Sequence, residues 1–371
     1  MATQLQFSLV HPCEELQWLQ QNNTFGIVPL DMTSIDFKTI DSWIAKAQDR
    51  YRPPFSHELI AGGRSNLTFE MKDSNGEHFI LRHPPLSHVL PTAHDMTREY
   101  KIISALEGSV IPVPKSIALC TDPQVSVRPF YLMEFVEGRI LRRDDDARDL
   151  APGDLSTVSE SVISTLVRLH LLDVDSIGLA DLGKKEGYLQ RQLKRWSQQF
   201  ERSVSEVGLS YPVVVEAHSK LSENVPLERY VGLVHGDYRL DNTVIGEDFA
   251  VAAVLDWEIC TLGDTLADLG LLMVYWTQAK DKTSALSSVT EADGFYTREQ
   301  LTARYAQLSS RDISDLPYYI AFSYWKLACI LAGVYSRYVQ GAHAGDPSDV
   351  SIYKDQIEWL GEQSRIYIKN L

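Results

Sequence analysis

The sequence predicts an α+β protein in two lobes: a small antiparallel sheet with one helix, then a larger, mostly helical lobe. Three observations carry this reading. Between Tyr51 and Phe135, short apolar runs alternate with Gly, Asn and Pro punctuation, the pattern of strands joined by turns. From Asp154 onward, apolar residues recur at three- and four-residue steps, as in helices with one buried face. At 371 residues the chain exceeds a single ordinary domain and suits a two-lobed molecule. We divide it into an N-terminal helical extension (1–50), a small lobe (51–137) and a large lobe (138–371).

In the extension, Ile35, Ile40, Trp43, Ile44 and Ala47 form a helical stripe, expected to pack on the back of the sheet. The sheet starts at Glu58–Ala61, breaks at Gly62-Gly63-Arg64-Ser65-Asn66 and resumes at Leu67–Met71. It then turns at Asp73-Ser74-Asn75-Gly76 and returns over His78–Arg82. A strand–glycine loop–strand unit can lay backbone N–H groups over phosphates, because glycine permits close approach. Asp95–Leu106 reads as a helix, Ser116–Cys120 and Phe130–Phe135 as strands, and Gly138 as the link between lobes.

Beyond that link, Asp154–Leu172 and Gly187–Arg202 read as helices. The second has an apolar stripe (Leu189, Leu193, Trp196, Phe200) and, roughly opposite, a basic one: Arg191, Lys194, Arg195 and Arg202. That basic stripe is either a solvated face or an attraction for a phosphorylated substrate. Gly263-Asp264 predicts a helix start with Asp264 as N-cap. Pro317–Gln340 is apolar nearly all round, with Lys326 and Arg337 its only charges, and predicts a buried helix.

Chemistry concentrates between Val231 and Gly270. Thr243–Ile245 and Ala250–Leu255 flank a turn at Gly246–Asp248, and the resulting hairpin brings Asn242 and Asp256 to one end. Two oxygen-bearing side chains there can hold Mg²⁺, which prefers oxygen ligands. Asp237, on the loop just before, can accept a proton from a hydroxyl. Metal holders beside such a carboxylate are what phosphoryl transfer needs.

The order His-Gly-Asp-x₄-Asn, then Asp-Trp-Glu, resembles the catalytic segment of the aminoglycoside phosphotransferase and choline kinase group, small-molecule kinases with a protein-kinase-like fold. The resemblance runs from about Asp41 onward. Through ILRHPP (80–85), LPTAHDMTREY (90–100), EGYLQRQLKRW (186–196) and HGDYRLDN (235–242) it extends in particular to the kinase-like domains fused to acyl-CoA dehydrogenases and their free-standing bacterial relatives. It implies ATP and Mg²⁺ as cofactors, Asp237 as catalytic carboxylate, and Asn242 and Asp256 as metal ligands. Arg239 would steady transferred charge, or else pair with a nearby carboxylate. Arg82, held by Glu99, would grip the nucleotide phosphates where the family often has lysine, under the loop Gly62, Gly63, Arg64, Ser65 and Asn66. Met133 would line the adenine pocket, with the Glu134 carbonyl and Val136 N–H bonding the adenine edge. Asp268 would brace the catalytic loop, and Glu258 would stand near the metal. The acceptor implied is a small-molecule hydroxyl, in that branch a 4-hydroxyacyl-CoA. An aminoglycoside kinase and a nucleotide-binding pseudokinase module are the rival readings.

Composition narrows the partners. A formal net charge of −15 repels nucleic acid and anionic membranes. Residues 281–371 hold 11 acidic against 9 basic side chains, which does not suggest a cleft built for polycations. The four cysteines have no paired spacing, so neither a zinc site nor a disulfide framework is expected. Without a signal-peptide pattern or an apolar run of membrane length, the expected setting is soluble and cytoplasmic.

Overall fold

Five antiparallel strands make the smaller lobe, in the order β1–β2–β3–β5–β4: β1 Ser56–Ala61, β2 Leu67–Lys72, β3 His78–His83, β4 Ser116–Cys120 and β5 Phe130–Glu134. The computed structural model describes residues 35–61, 66–85, 95–281, 289–340 and 351–369. Register sets Phe69 opposite Leu81 and Leu81 opposite Leu132. Because strand side chains alternate, this places Phe69, Leu81, Leu132 and Phe130 in one core with Ile40 and Ile44 of helix α1 (Phe37–Ala47). Edge-on contacts of Phe37 with Phe69 and of Trp43 with Phe130 (both 5.2 Å between centroids) seat that helix. Its start is capped by Asp36, which accepts the Thr39 N–H at 3.1 Å.

The other face turns Ile80, Tyr131 and Met133 towards helix α2 (Met96–Leu106), whose Met96, Ile102, Ile103 and Leu106 are buried there. Asp95 caps α2 by accepting the Thr97 and Arg98 N–H groups. The helix is tied to the larger lobe as well. Arg98 Nη2 donates to the carbonyls of Cys260 (2.6 Å) and Leu182 (3.3 Å), and Lys101 pairs with Asp181 at 2.7 Å.

The larger lobe contains helices α3 (Asp144–Ala147), α4 (Pro152–Leu171), α5 (Tyr188–Glu206), α6 (Pro212–Glu223), α7 (Leu266–Tyr275), α8 (Arg298–Ser309), α9 (Leu316–Val339) and α10 (Ser351–Ile368). Helix α9 is buried on most sides, as its composition predicts, and packs against α5, α6, α7 and α10. Its crossing with α7 is close: a Cβ at Gly270 would lie 2.6 Å from the Tyr319 carbonyl carbon. Two small ladders complete the lobe, β6 (Val231–Val234) with β9 (Thr261–Asp264) and β7 (Thr243–Ile245) with β8 (Val251–Val254). The first corrects the expected helix start at Gly263-Asp264. Those residues close β9 opposite Val231 and Gly232, and the helix begins at Leu266. Asp264 still serves that helix, accepting the Leu266 N–H at 3.1 Å.

Candidate active site

Strand β6 delivers His235-Gly236-Asp237 into the cleft between lobes. The chain can turn there because Gly236 has φ 88°, which glycine adopts without penalty. Asp268, fully buried in the first turn of α7, holds the turn from below. Its Oδ2 accepts the His235 N–H at 2.7 Å and its Oδ1 accepts the Gly236 N–H at 2.8 Å. His170 stands 3.4 Å from the same carboxylate. Burial pushes Asp268 up, but His170 and these donors outweigh it and hold the group below its ordinary value. The His235 ring donates from Nε2 to the Leu255 carbonyl (2.9 Å) and accepts the Asp237 N–H at Nδ1 (3.3 Å), which fixes its tautomer.

The Asp237 carboxylate is partly open to solvent, with one hydrogen-bond donor and one cation beside it. Asn242 Nδ2 reaches its Oδ2 at 3.0 Å and its main-chain oxygen at 2.9 Å, and Arg239 Nε lies 3.5 Å from Oδ2. Both neighbours of the Asn242 amide are acceptors only, so its nitrogen must face them and its Oδ1 must point away. Of the two readings for Arg239, the structure displays the ion pair. Its Nη2 holds Asp241 at 2.9 Å, and its guanidinium lies 4.8 Å from the Tyr275 ring centroid.

The hairpin brings Asp256 to the Asn242 end, as the spacing predicts. Thr243 pairs with Val254, and the Leu255 N–H bonds the Asn242 carbonyl at 2.9 Å. Asp256 has φ 64°, a left-handed backbone uncommon for a residue with a side chain and frequent at functional turns. Its Oδ1 meets Arg82 Nη2 at 3.2 Å. The same nitrogen binds Glu99 Oε1 at 3.0 Å, and Arg82 Nη1 donates to Thr68 Oγ1 at 3.0 Å. Asn66 joins the cluster, its Nδ2 reaching Glu99 Oε2 (3.3 Å) and Glu258 Oε2 (3.2 Å).

Three carboxylates, from Glu99, Asp256 and Glu258, thus share Arg82 and Asn66. Burial pushes Glu99 and Asp256 above the ordinary carboxylate range, with Arg82 pulling the other way. Asn66 Oδ1 and Arg82 Nε are buried and have no hydrogen-bond partner among the described residues. An acid-rich pocket with a free oxygen and a free N–H suits a divalent cation beside phosphate oxygens. Among the described residues no three acidic, His or Cys groups converge as a cage for a metal. Two oxygen ligands completed by phosphates and water is the arrangement Mg²⁺ commonly takes.

The expected hinge lies at the end of β5, where Met133 is buried opposite Ile80 and Glu134 follows. Val136 lies two residues on, and then the linker is stitched to β7 by paired bonds between Arg139 and Ile245, both 2.8 Å. Gly138 is obligatory there, because a Cβ would lie 2.5 Å from the Ile245 oxygen. Gly62, Gly63, Arg64 and Ser65 lie outside the described residues. Lys326, which donates to the Gly236 carbonyl at 3.2 Å, was not among the predicted site residues. A lone charge in an apolar helix was the available signal.

The sequence profile of the phosphotransferase enzyme family (APH) matches residues 56–306. The chain belongs to that family. By fold and family this phosphotransferase is a small-molecule kinase. It is 30% identical to a putative aminoglycoside phosphotransferase from Ralstonia eutropha JMP134, with TM-score 0.75 over 90% of this chain and 98% of the other. Choline kinase from Cryptosporidium parvum Iowa II shares the fold at 13% identity, with TM-score 0.61 over 90% and 97% of the two chains. Acyl-CoA dehydrogenase family member 11 of Rattus norvegicus is 35% identical over 293 residues, covering 77% of this chain and 37% of that protein's length. The phosphotransferase therefore spans little more than a third of the curated relative it matches. Among the described residues no helix is long and apolar enough to cross a membrane.

Proposed function

We propose that this phosphotransferase moves the γ-phosphoryl group of ATP to a hydroxyl of a small molecule, and that the acceptor is a 4-hydroxyacyl-CoA. The observation that carries the reading is the meeting of Asp237, Asn242 and Asp256 from one loop and hairpin with Arg82 and Glu99 from the opposite lobe. Asp237 orients the acceptor hydroxyl and takes its proton, a contribution of roughly 10²–10⁴-fold for a positioned base. Asn242 and Arg239 keep that carboxylate aimed. Arg82 offers its guanidinium to the α/β-phosphates in place of the usual lysine; arginine binds phosphate bidentately and demands closer placement, which Glu99 and Thr68 supply. Asn242 Oδ1 and Asp256 would hold Mg²⁺, which when bound neutralises charge on the transferred group. The β5 end, with Met133, Glu134 and Val136, would receive the adenine, and the Gly62–Asn66 loop would cover the phosphates.

Support for an acyl-CoA acceptor comes from the acyl-CoA dehydrogenase family relatives and from exposed cations on α5. The Ralstonia neighbour supports the aminoglycoside alternative. Both are tested by following phosphorylated product from a panel of hydroxyacyl-CoAs and from kanamycin, with wild type beside Asp237→Ala. The reading expects product from a hydroxyacyl-CoA, none from kanamycin, and turnover lowered by about 10²–10⁴ in the variant while the protein stays folded. Mg-ATP binding without turnover of any hydroxyl compound would end it.

A further inference from the structure

Buried ammonium groups are costly unless something answers their charge. Lys326 is only 6% exposed, yet among the described residues its one hydrogen-bond acceptor is the neutral Gly236 carbonyl. Asp237 and Asp268 are the nearby opposite charges. Asp268 is already committed to two backbone N–H groups and His170, and Asp237 to Asn242 and Arg239. Two of the three ammonium donors therefore remain to be answered.

A second cation stands close by. Lys326 Nζ lies 5.9 Å from the centroid of the Trp196 indole, and the guanidinium carbon of Arg195 lies 5.2 Å from the same ring. Trp196 is half-buried and fixed by its Nε1–H donating to Gln192 Oε1 at 2.9 Å, whereas Arg195 is exposed. The basic stripe on α5 thus divides. Arg191 is turned back onto the carbonyls of Lys184 (2.7 Å) and Glu186, leaving Arg195 beside the indole. An interior cation and an exposed one share one aromatic ring, and the interior one is bonded to the loop that carries Asp237.

We propose that Lys326, Trp196 and Arg195 form an anion subsite for the phosphoryl acceptor, and that Lys326 and Arg195 determine specificity for negatively charged hydroxyl compounds. This rests on the assignment of Asp237 to the acceptor. The indole supplies a flat apolar face for the uncharged part of the molecule, and both cations repel a polyamine.

The test uses acetyl-CoA, an anionic thioester that has no acyl hydroxyl to phosphorylate. Its binding to the full chain is measured by calorimetry with the nucleotide site saturated by a non-hydrolysable ATP analogue and Mg²⁺. Wild type is expected to bind, and Arg195→Glu and Lys326→Met each to weaken binding by about tenfold or more, with Lys326→Arg recovering part of the loss. Affinity equal in wild type and variants, or no saturable binding to wild type, overturns the subsite. Arg195→Glu alters an exposed residue and decides the matter if Lys326→Met fails to fold. Phosphorylation of a hydroxyacyl-CoA is followed in parallel. Binding lost in the variants without any wild-type product upholds the subsite and removes the acyl-CoA kinase reading. Equal product from wild type and variants retains that reading and removes the subsite.

Discussion

Asp268→Asn exchanges one oxygen for nitrogen and should unseat the loop that carries Asp237. The native carboxylate accepts the His235 N–H at 2.7 Å through one oxygen and the Gly236 N–H at 2.8 Å through the other. An amide has a single oxygen, so whichever N–H it keeps, its NH₂ faces the other, donor against donor. A bond to a charged acceptor contributes about 1.5–3 kcal/mol, and a buried donor left unmet costs about 1–3 kcal/mol more, giving a loss of ~3–6 kcal/mol. At roughly 2 cal/mol/K of unfolding entropy per residue, a chain of this size would melt about 4–8 °C lower. Turnover should fall as well, because both freed peptides lead straight into Asp237, while nucleotide affinity, which we propose depends on Arg82 and the β5 end, should hold.

Acid stability offers a second reading of the same substitution. The folded Asp268 lies below its ordinary value, so the folded protein binds fewer protons than the unfolded chain in that window. Its stabilisation is complete above the ordinary carboxylate range and is lost as pH falls through the folded value. The acid limb of the stability curve should therefore flatten in Asp268→Asn. Thermal unfolding across pH, with kcat and nucleotide Kd measured alongside, checks all of this. An unmoved melting temperature with full turnover would refute the reasoning.

Arg82→Lys should lower Mg-nucleotide affinity by about tenfold, since a point-like ammonium cannot span Thr68, Glu99 and Asp256 together; an unchanged Kd would show that the bridging has no role in binding. Gly270→Ala should destabilise the larger lobe by about 1–3 kcal/mol, because the new methyl meets main-chain atoms of Tyr319 at 2.6 Å and 2.7 Å that cannot swing aside. Urea unfolding reads that loss, and a midpoint equal to wild type would contradict it.

Much of the site could be read from the sequence because its components are local. Asn242 and Asp256 flank one short hairpin, so spacing alone brings them together, and Asp237 precedes Asn242 on the same loop. The Arg82–Glu99 pair was legible only through resemblance, since nothing in either segment names its partner. The β6–β9 ladder was not legible at all. Val231–Val234 and Thr261–Asp264 are four residues each and far apart in sequence, too short to show alternation, and Asp264 carries a capping signal that points to a helix instead. It does bond the Leu266 N–H, but from the end of a strand. Lys326 shows the remaining limit: composition predicts that its helix is buried, yet which backbone oxygen meets the ammonium depends on how α9 crosses the Asp237 loop, a long-range fact with no local trace.

Arg98 and Lys101 anchor the sheet lobe's one inward helix to the opposite half of the molecule. Glu99, lying between them, cannot swing outward while both moorings hold. An outward swing of that side chain would first have to break the Arg98 bonds, and it would take from Arg82 the carboxylate that holds it.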